Sequence, residues 1–401
     1  MNKCNFLLLL IILILTGCSS APDHQFALDS EQEINEPQNE ASAIVETELR
    51  YATAFTVDYI DNYKVLTVVK PWRATDITFT YILVQRGTEP PQGFDDAQLI
   101  EIPVRSMASL ATTHLPYLNK LGDLDTLIAV GNAQYINTPE IVSAIQSGDI
   151  QAVGNGPDVN IEKIIELNPE VITTFAMGKS TKDDYQLLTE KGFNTVIFSD
   201  YMEDSPLARA EWIKFMALFY NQEAEAEKIF SGIEQRYLEM QSLTADITER
   251  PQVMLGYEIN GNWYVPGGKS YQATYIKDAG GQYLWADDVT SGRIPMSFES
   301  VLEKGMTANY WFDQSVNWQS AEDFLAADAR ITHFQAFAQQ QVYNNNARVN
   351  QTSGNDYNES GLVNPDVILA DLISIMHPEL LPDHELVYYR DIFTTGTALN
   401  E

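Results

Sequence analysis

The chain has 401 residues, 45% of them hydrophobic, with 24 Lys and Arg against 56 Asp and Glu, for a formal net charge of −32. That length predicts two domains of ~150–200 residues. So anionic a chain is a poor partner for nucleic acid or for anionic lipid headgroups. Its only cysteines, Cys4 and Cys18, offer no disulfide framework, so the fold must rest on its apolar cores.

The first twenty residues, MNKCNFLLLLIILILTGCSS, set Lys3 before an apolar stretch from Phe6 to Leu15 and a small-residue cleavage region. That pattern is a secretory signal peptide over residues 1–17, too short and wrongly flanked for a spanning helix. Leu15-Thr16-Gly17-Cys18 resembles the bacterial lipobox, which implies acylation of Cys18 and anchoring of the protein to a membrane, periplasmic or at the cell surface. The plain alternative is a signal peptide that happens to contain a cysteine. Residues 18–43 are acidic, proline-containing and free of Lys and Arg, the composition of a flexible tether.

From Arg50 to Gly87 alternating runs predict three short strands, with a turn at Asp61-Asn62. Strands and helices then alternate: IEIPV, a helix near PYLNKLG, DTLIAVG, PEIVSAIQSG, the helix from Asn160 to Leu167, VITTF, YQLLTEKG and TVIFSD. This order implies a parallel sheet in an N-terminal lobe over residues 44–204. SPLARAEWIKFMALFYN has a serine cap and proline at the first helical position. QEAEAEKIFSGIEQRYLEMQSLTADI continues as a helix of roughly 35 Å, so residues 205–247 are read as connecting helices. Alternation resumes in a C-terminal lobe over residues 248–401: the strand QVMLGYEI, the helix YQATYIKDAGG, the helix from Ser297 to Glu303, the strand ANYWFD, a helix in DARITHFQAF, the strand VYNNN and a closing helix in NPDVILADLISIMHPEL.

One pattern occurs once per lobe. NIEKIIELNPEVITTF opens at Asn160 and SFESVLEKGMTANYWFD at Ser297. Each has a capping residue, an apolar residue and a glutamate, with a second glutamate four positions on. Ile161, Ile164 and Ile165 form the buried stripe of the first copy, and Phe298, Val301 and Leu302 that of the second. Glu162 with Glu166, and Glu299 with Glu303, take another face. A first-turn acid also simply favours the helix dipole by ~0.3–1 kcal/mol.

These stretches, together with SMASLATTHLPYLNKLGDLDTLIAVG and GLVNPDVILADLISIMHPELL, resemble the periplasmic binding proteins that deliver ferric siderophores, haem or cobalamin to ABC importers. The resemblance spans residues 50–393 and implies two Rossmann-like α/β lobes, a long rigid connecting helix and a ligand cleft between the lobes. It further implies that Glu162 and Glu299 dock on basic residues of a permease dimer served by an ATPase, and that the protein acts as a monomer without a cofactor. Glu166 and Glu303 receive no role from it.

In parallel α/β lobes ligands sit at the carboxyl ends of strands. The candidates there are Thr112, Thr113 and His114, Met177 to Ser180, Tyr201, Trp263, Tyr264, Gly267, Gly268 and Trp318. Aromatic rings suit a bulky chelate, although Trp263 and Tyr264 could be a strand-edge pair and Gly267-Gly268 a turn. His114 lacks the histidine company of a metal site, so no metal ligands are assigned. Lys179, Arg293 and Arg348 are the bases in plausible loops. The otherwise neutral, aromatic set leans toward cobalamin or a hydroxamate chelate over a trianionic catecholate. An anchored enzyme is the competing class, but no G-x-S-x-G, P-loop or H-E-x-x-H occurs. A sensor lipoprotein of the same fold is the third.

Overall fold

A computed structural model describes residues 46–394 apart from 96, 180, 182, 260 and 317. The expected signal peptide, Cys18 and the acidic tether lie outside the described residues, as does Ser180. The first sheet runs β1 (Phe55–Ile60), β2 (Tyr63–Val69), β3 (Thr78–Gln85) and β4 (Gln98–Ile102) in sequence order. Asp61, at φ 43°, makes the two-residue turn that brings Ile60 opposite Tyr63; positive φ at this position is the mark of a tight hairpin.

The N-terminal lobe is a five-stranded parallel sheet in the order β7-β6-β5-β8-β9, formed by β5 (Met107–Ser109), β6 (Leu127–Val130), β7 (Gln151–Ala152), β8 (Val171–Thr174) and β9 (Thr195–Ile197). Helices α1 (Leu115–Leu121), α2 (Pro139–Ser147), α3 (Ile161–Leu167) and α4 (Tyr185–Glu190) connect these strands. Chain order reverses between β5 and β8, so loops leaving those two strands diverge and open a crevice.

Three helices follow: α5 (Pro206–Ala210), α6 (Ile213–Ala217) and α7 (Glu223–Ser242). The single helix expected from Pro206 is broken at Glu211-Trp212, where the amide of Trp212 bonds back three residues to Arg209 and its indole donates to Glu203 at 3.0 Å. With 20 residues, α7 is ~30 Å long, shorter than expected. Thr244 donates to the carbonyl of Asp278 at 2.7 Å and draws the chain into the next lobe.

The C-terminal sheet, ordered β13-β10-β15-β16-β17, comprises β10 (Gln252–Leu255), β13 (Gln282–Tyr283), β15 (Tyr310–Asp313), β16 (Val342–Asn344) and β17 (Arg390–Asp391). Its first four strands are parallel and β17 is antiparallel. QVMLGYEI, expected as one strand, is split. Gly256 at φ 148°, a value only glycine adopts easily, turns the chain out into a small antiparallel sheet of β11 (Tyr257–Ile259), β12 (Asn262–Pro266) and β14 (Arg293–Met296). Helices α8 (Tyr271–Asp278), α9 (Phe298–Gly305), α10 (Ala321–Ala327), α11 (Gln335–Ala338) and α12 (Pro365–Met376) complete the lobe. One apolar cluster runs from Phe55 and Tyr81 through Trp212, Phe215, Phe230 and Tyr237 to Leu369 and Ile373. The connecting helices thus share a core with both lobes.

The beginning of the described chain is held on those helices by buried acids. The Glu211 carboxylate accepts the amides of Tyr51 and Ala52 at 2.7 Å each and that of Arg50 at 2.9 Å, and it also meets Lys214 at 2.9 Å. Glu203 accepts the amides of Thr53 and Ala54 at 2.9 Å each. Beside them, burial alone would raise the Glu227 carboxyl, but donation by Lys214, Ser231 and Arg50 holds it down to about 2. An acid held below its unfolded value stabilises the fold above that value and ceases to do so as pH falls through the folded one. The stability difference between wild type and Glu227→Gln, measured by urea unfolding, should therefore be full at pH 6 and shrink steadily between about pH 4.5 and pH 2.

Candidate functional site

The two copies of the repeated pattern are α3 and α9, each at the helix-then-strand position of its lobe. Asn160 caps the first by accepting from the Lys163 amide at 3.0 Å, and Ser297 caps the second by accepting from the Ser300 amide at 3.2 Å. Glu162, Glu166, Glu299 and Glu303 are all exposed. They differ in company: Glu299 pairs with Arg330 at 3.1 Å, and Arg330 also lies 3.9 Å above the Phe298 ring. The first stripe needs correction, because Ile164 is buried whereas Ile165 is 56% exposed. A seven-residue helix has room for only a narrow apolar face.

Loops beyond the carboxyl ends of the two sheets meet, since Glu359, beyond β16, reaches Asn137 and Thr138, beyond β6. In the C-terminal lobe chain order reverses between β10 and β15, and the loops beyond them line a cavity of about 320 Å³. Tyr257, Tyr271, Tyr357 and Trp318 supply rings, Arg293 and Glu258 supply one charge of each sign, and Gln314, Ser315, Asn345 and Asn358 supply amides and a hydroxyl. Arg293 lies 5.2 Å from the Tyr257 ring centre. From the connector, buried Arg209 stacks on Tyr271 at 4.3 Å and pairs with buried Asp200 at 3.3 Å. Burial pushes the Asp200 carboxyl up while Arg209 pulls it down, and the net direction is upward. A larger groove, about 550 Å³, lies at the amino ends of β10 and β15 beside Pro251 and Asn309. That is the wrong end of a parallel sheet for a ligand, and the groove has almost no aromatic wall.

The sequence-predicted residues divide sharply. Trp318 and Arg293 line the cavity, and Tyr264 lies beside it, 6.2 Å from Tyr257. Trp263 points the other way, as alternation along β12 requires. It is 1% exposed and packs among Trp311, Phe298 and Phe334, so it belongs to the core. Gly267 and Gly268 are close-approach glycines. A Cβ on Gly268 would stand 2.5 Å from the carbonyl oxygens of Trp285, Ala286 and Asp288, and one on Gly267 would strike Thr290. Both positions therefore require glycine for packing.

In the N-terminal lobe Thr112 and Thr113 are half-buried beyond β5, but His114 is fully buried and stacked on Phe198 at 4.4 Å. Burial lowers its imidazole to about 3, so it stays neutral. Its Nδ1 meets the Thr173 hydroxyl at 3.1 Å. Met177 is 50% exposed beyond β8. Tyr201 donates to the carbonyl of Ala176 at 2.6 Å and braces that loop. Lys179 is exposed, while Arg348 pairs with Asp356 at 2.8 Å. Among the described residues no group of three or more His, Cys, Asp or Glu could hold a metal. Tyr257, Tyr271, Tyr357 and the Asp200–Arg209 pair were not among the sequence candidates. Arg209 inside the apolar SPLARAEWIKF run and Asp200 at the end of the TVIFSD strand were the available signal, since buried charges must find partners.

The crevice is strapped on both sides of the N-terminal switch point. Beyond β6, Glu359 accepts the amides of Asn137 at 2.7 Å and Thr138 at 2.9 Å, along with the Thr138 hydroxyl. Asn350 donates to the carbonyls of Gln134 and Ile136 at 3.1 Å each. Near the loop beyond β8, where Trp72 lies close against Gly178, Arg73 donates to the Ser291 hydroxyl at 2.7 Å and carbonyl at 3.0 Å.

Residues 107–349 match the family model described as periplasmic binding protein. An uncharacterized lipoprotein of Methanocaldococcus jannaschii is 25% identical over 397 residues, covering 93% of this chain and 92% of its own. The fold is similar to that of a periplasmic haem-binding protein from Pseudomonas aeruginosa, with TM-score 0.54, 15% identity, and coverage of 73% of this chain and 100% of that one. It is similar also to a structure of an ABC-type Fe3+-hydroxamate transport system from Saccharomonospora viridis, with TM-score 0.53, 15% identity, and coverage of 69% and 94%.

Proposed function

This chain belongs to the periplasmic binding protein family, and from that premise we propose that it is a lipid-anchored carrier that captures an iron chelate, haem or cobalamin between its lobes and hands it to an ABC importer. The observation that supports this most is the cavity at the C-terminal switch point, walled by Tyr257, Tyr271, Tyr357 and Trp318. Rings of this kind give a bulky ligand broad apolar contact with polar tips. The cavity's one acid and one base offset each other, which favours a ligand with little net charge, cobalamin or a hydroxamate chelate. The likeness to a lipoprotein relative over almost the whole chain supports anchoring at Cys18. Thr112, Thr113, Met177 and Tyr201 form the N-terminal side of the site, and Tyr264, Arg293 and Trp318 contribute to the C-terminal side.

Delivery rests on Glu162 and Glu299, one exposed acid per lobe, meeting basic residues of the two permease subunits. Contacts at such a rim steer encounter and fix register more than they add affinity, which suits a carrier that must let go. The Glu299–Arg330 pair is exposed and worth little, so a permease arginine can replace it. In native mass spectrometry the full chain should retain one of ferric hydroxamate, haem or cyanocobalamin intact. The double variant Glu162→Arg, Glu299→Arg should retain the same ligand with unchanged affinity while its uptake in cells falls at least tenfold. Ligand loss in the purified variant would refute the docking role, and chemical conversion of the ligand would point to an enzyme.

A further inference from the structure

Directly beneath the cavity, at the carboxyl ends of β15 and β16, several buried oxygens lack partners. Asp313 and Asn344 face each other in register. Both are 0% exposed and Asn346 is 3% exposed. Among the described residues the Asp313 carboxylate makes no ion pair, although burying an unpaired charge is among the costliest arrangements in a protein. Its Oδ2 accepts the Ser315 amide at 2.8 Å, the Ser315 hydroxyl at 2.5 Å, and Asn344 Nδ2 at 3.0 Å, and its Oδ1 has no partner.

The two asparagines are mismatched to their surroundings. Asn344 Nδ2 carries two hydrogens but has three acceptors: Asp313 and the main-chain oxygens of Ser315 at 2.8 Å and Trp318 at 2.9 Å. Asn346 Nδ2 converges on the same two main-chain oxygens at 3.2 and 3.1 Å. The side-chain oxygens of both asparagines are unpartnered. Half a turn of each amide exchanges its oxygen and nitrogen. The two amide oxygens then alternate with the main-chain oxygens of Ser315 and Trp318 in a closed ring with edges of 2.8, 3.2, 3.1 and 2.9 Å, and Asp313 Oδ2 stands 3.0 Å from its Asn344 corner, spacings close to those between neighbouring oxygen ligands of a hard ion.

We propose that Asp313, Asn344, Asn346 and the main-chain oxygens of Ser315 and Trp318 bind a hard cation, Ca2+ or Na+, under the floor of the ligand cavity. An all-oxygen donor set of carboxylate, amides and carbonyls selects hard ions over zinc or copper. With one carboxylate, calcium affinity falls in the weak range of ~10⁻⁴–10⁻³ M, suited to an extracytoplasmic site. Bound there, the ion neutralises Asp313 and fixes Ser315 and Trp318, which wall the cavity. The site stands whatever the cavity carries.

The test is thermal unfolding of the full chain in detergent, with choline chloride as background and CaCl2, NaCl or MgCl2 added. Millimolar Ca2+, or Na+ at tens of millimolar, should raise Tm by about 2 °C. Mg2+ should do less, because it is smaller and holds its waters. Asp313→Asn should abolish the rise, and Asn346→Asp, which adds a second carboxylate, should move the calcium midpoint about tenfold lower. A response to Ca2+ alone identifies the divalent ion, and a response to Na+ alone the monovalent one. Equal responses to Ca2+ and Mg2+ that persist in Asp313→Asn would reveal only screening of the −32 net charge and overturn the site. So would the lack of a response to either Ca2+ or Na+, or, where Ca2+ responds, a calcium midpoint unmoved in Asn346→Asp.

Discussion

Glu211→Ala should lower the unfolding free energy by about 3–5 kcal/mol, the size expected when one partner of a buried charge pair is removed. The carboxylate is fully buried and answers four donors at once, the amides of Arg50, Tyr51 and Ala52 and the ammonium of Lys214. Alanine would leave all of them in a dry site, where each unanswered donor costs about 1–3 kcal/mol. The sum is bounded because the segment can peel away and bind water, and because Lys214 keeps Glu227 at 2.7 Å. Chemical denaturation gives the magnitude. Hydrogen exchange should show faster exchange of residues 50–55 at the neighbouring end of β1. Glu211→Gln, which keeps one acceptor and loses the charge, should fall between the two. Wild-type stability in Glu211→Ala would mean that this segment is held by its apolar contacts alone.

Glu359→Ala should act on the junction between the lobes instead of on either core. Its carboxylate is buried and receives the amides of Asn137 and Thr138 from the other lobe. Loss of these bonds should cost about 2–4 kcal/mol and speed hydrogen exchange by tenfold or more at 133–138 and 350–358, leaving β10 and β15 protected. If the lobes are independent of this strap, exchange at 133–138 will not change. The partial cost follows from the bonds of Asn350 and the contacts of α7, which remain.

Much of the scaffold was legible because it depends on neighbours in sequence. Asn160 and Ser297 announce their helices through caps, and Asp61-Asn62 announces its hairpin through turn chemistry. Errors arose where a single residue redirected the chain. Gly256 sends QVMLGYEI into two sheets, and Glu211 interrupts what reads as one helix. Trp263 and Tyr264 show the limit at the site itself. Adjacent on a strand, they must face opposite ways, but which one meets the cavity depends on the register of β12 with β14. Tyr257, Tyr271 and Tyr357 sit on three separate elements and meet only through the fold, and no local pattern marks them as companions.

The straps across the crevice also bear on timing. A binding protein whose lobes swing must wait for closure after each encounter, and its capture rate levels off at high ligand concentration. Here the lobes are joined at Glu359, Asn350 and Arg73 and share a core through α7. Capture in such a frame should scale with ligand concentration without a plateau, and release should wait on a force applied from outside. Under the proposed delivery to an ABC importer, the clock of the cycle belongs to that importer, and this chain contributes a fixed geometry.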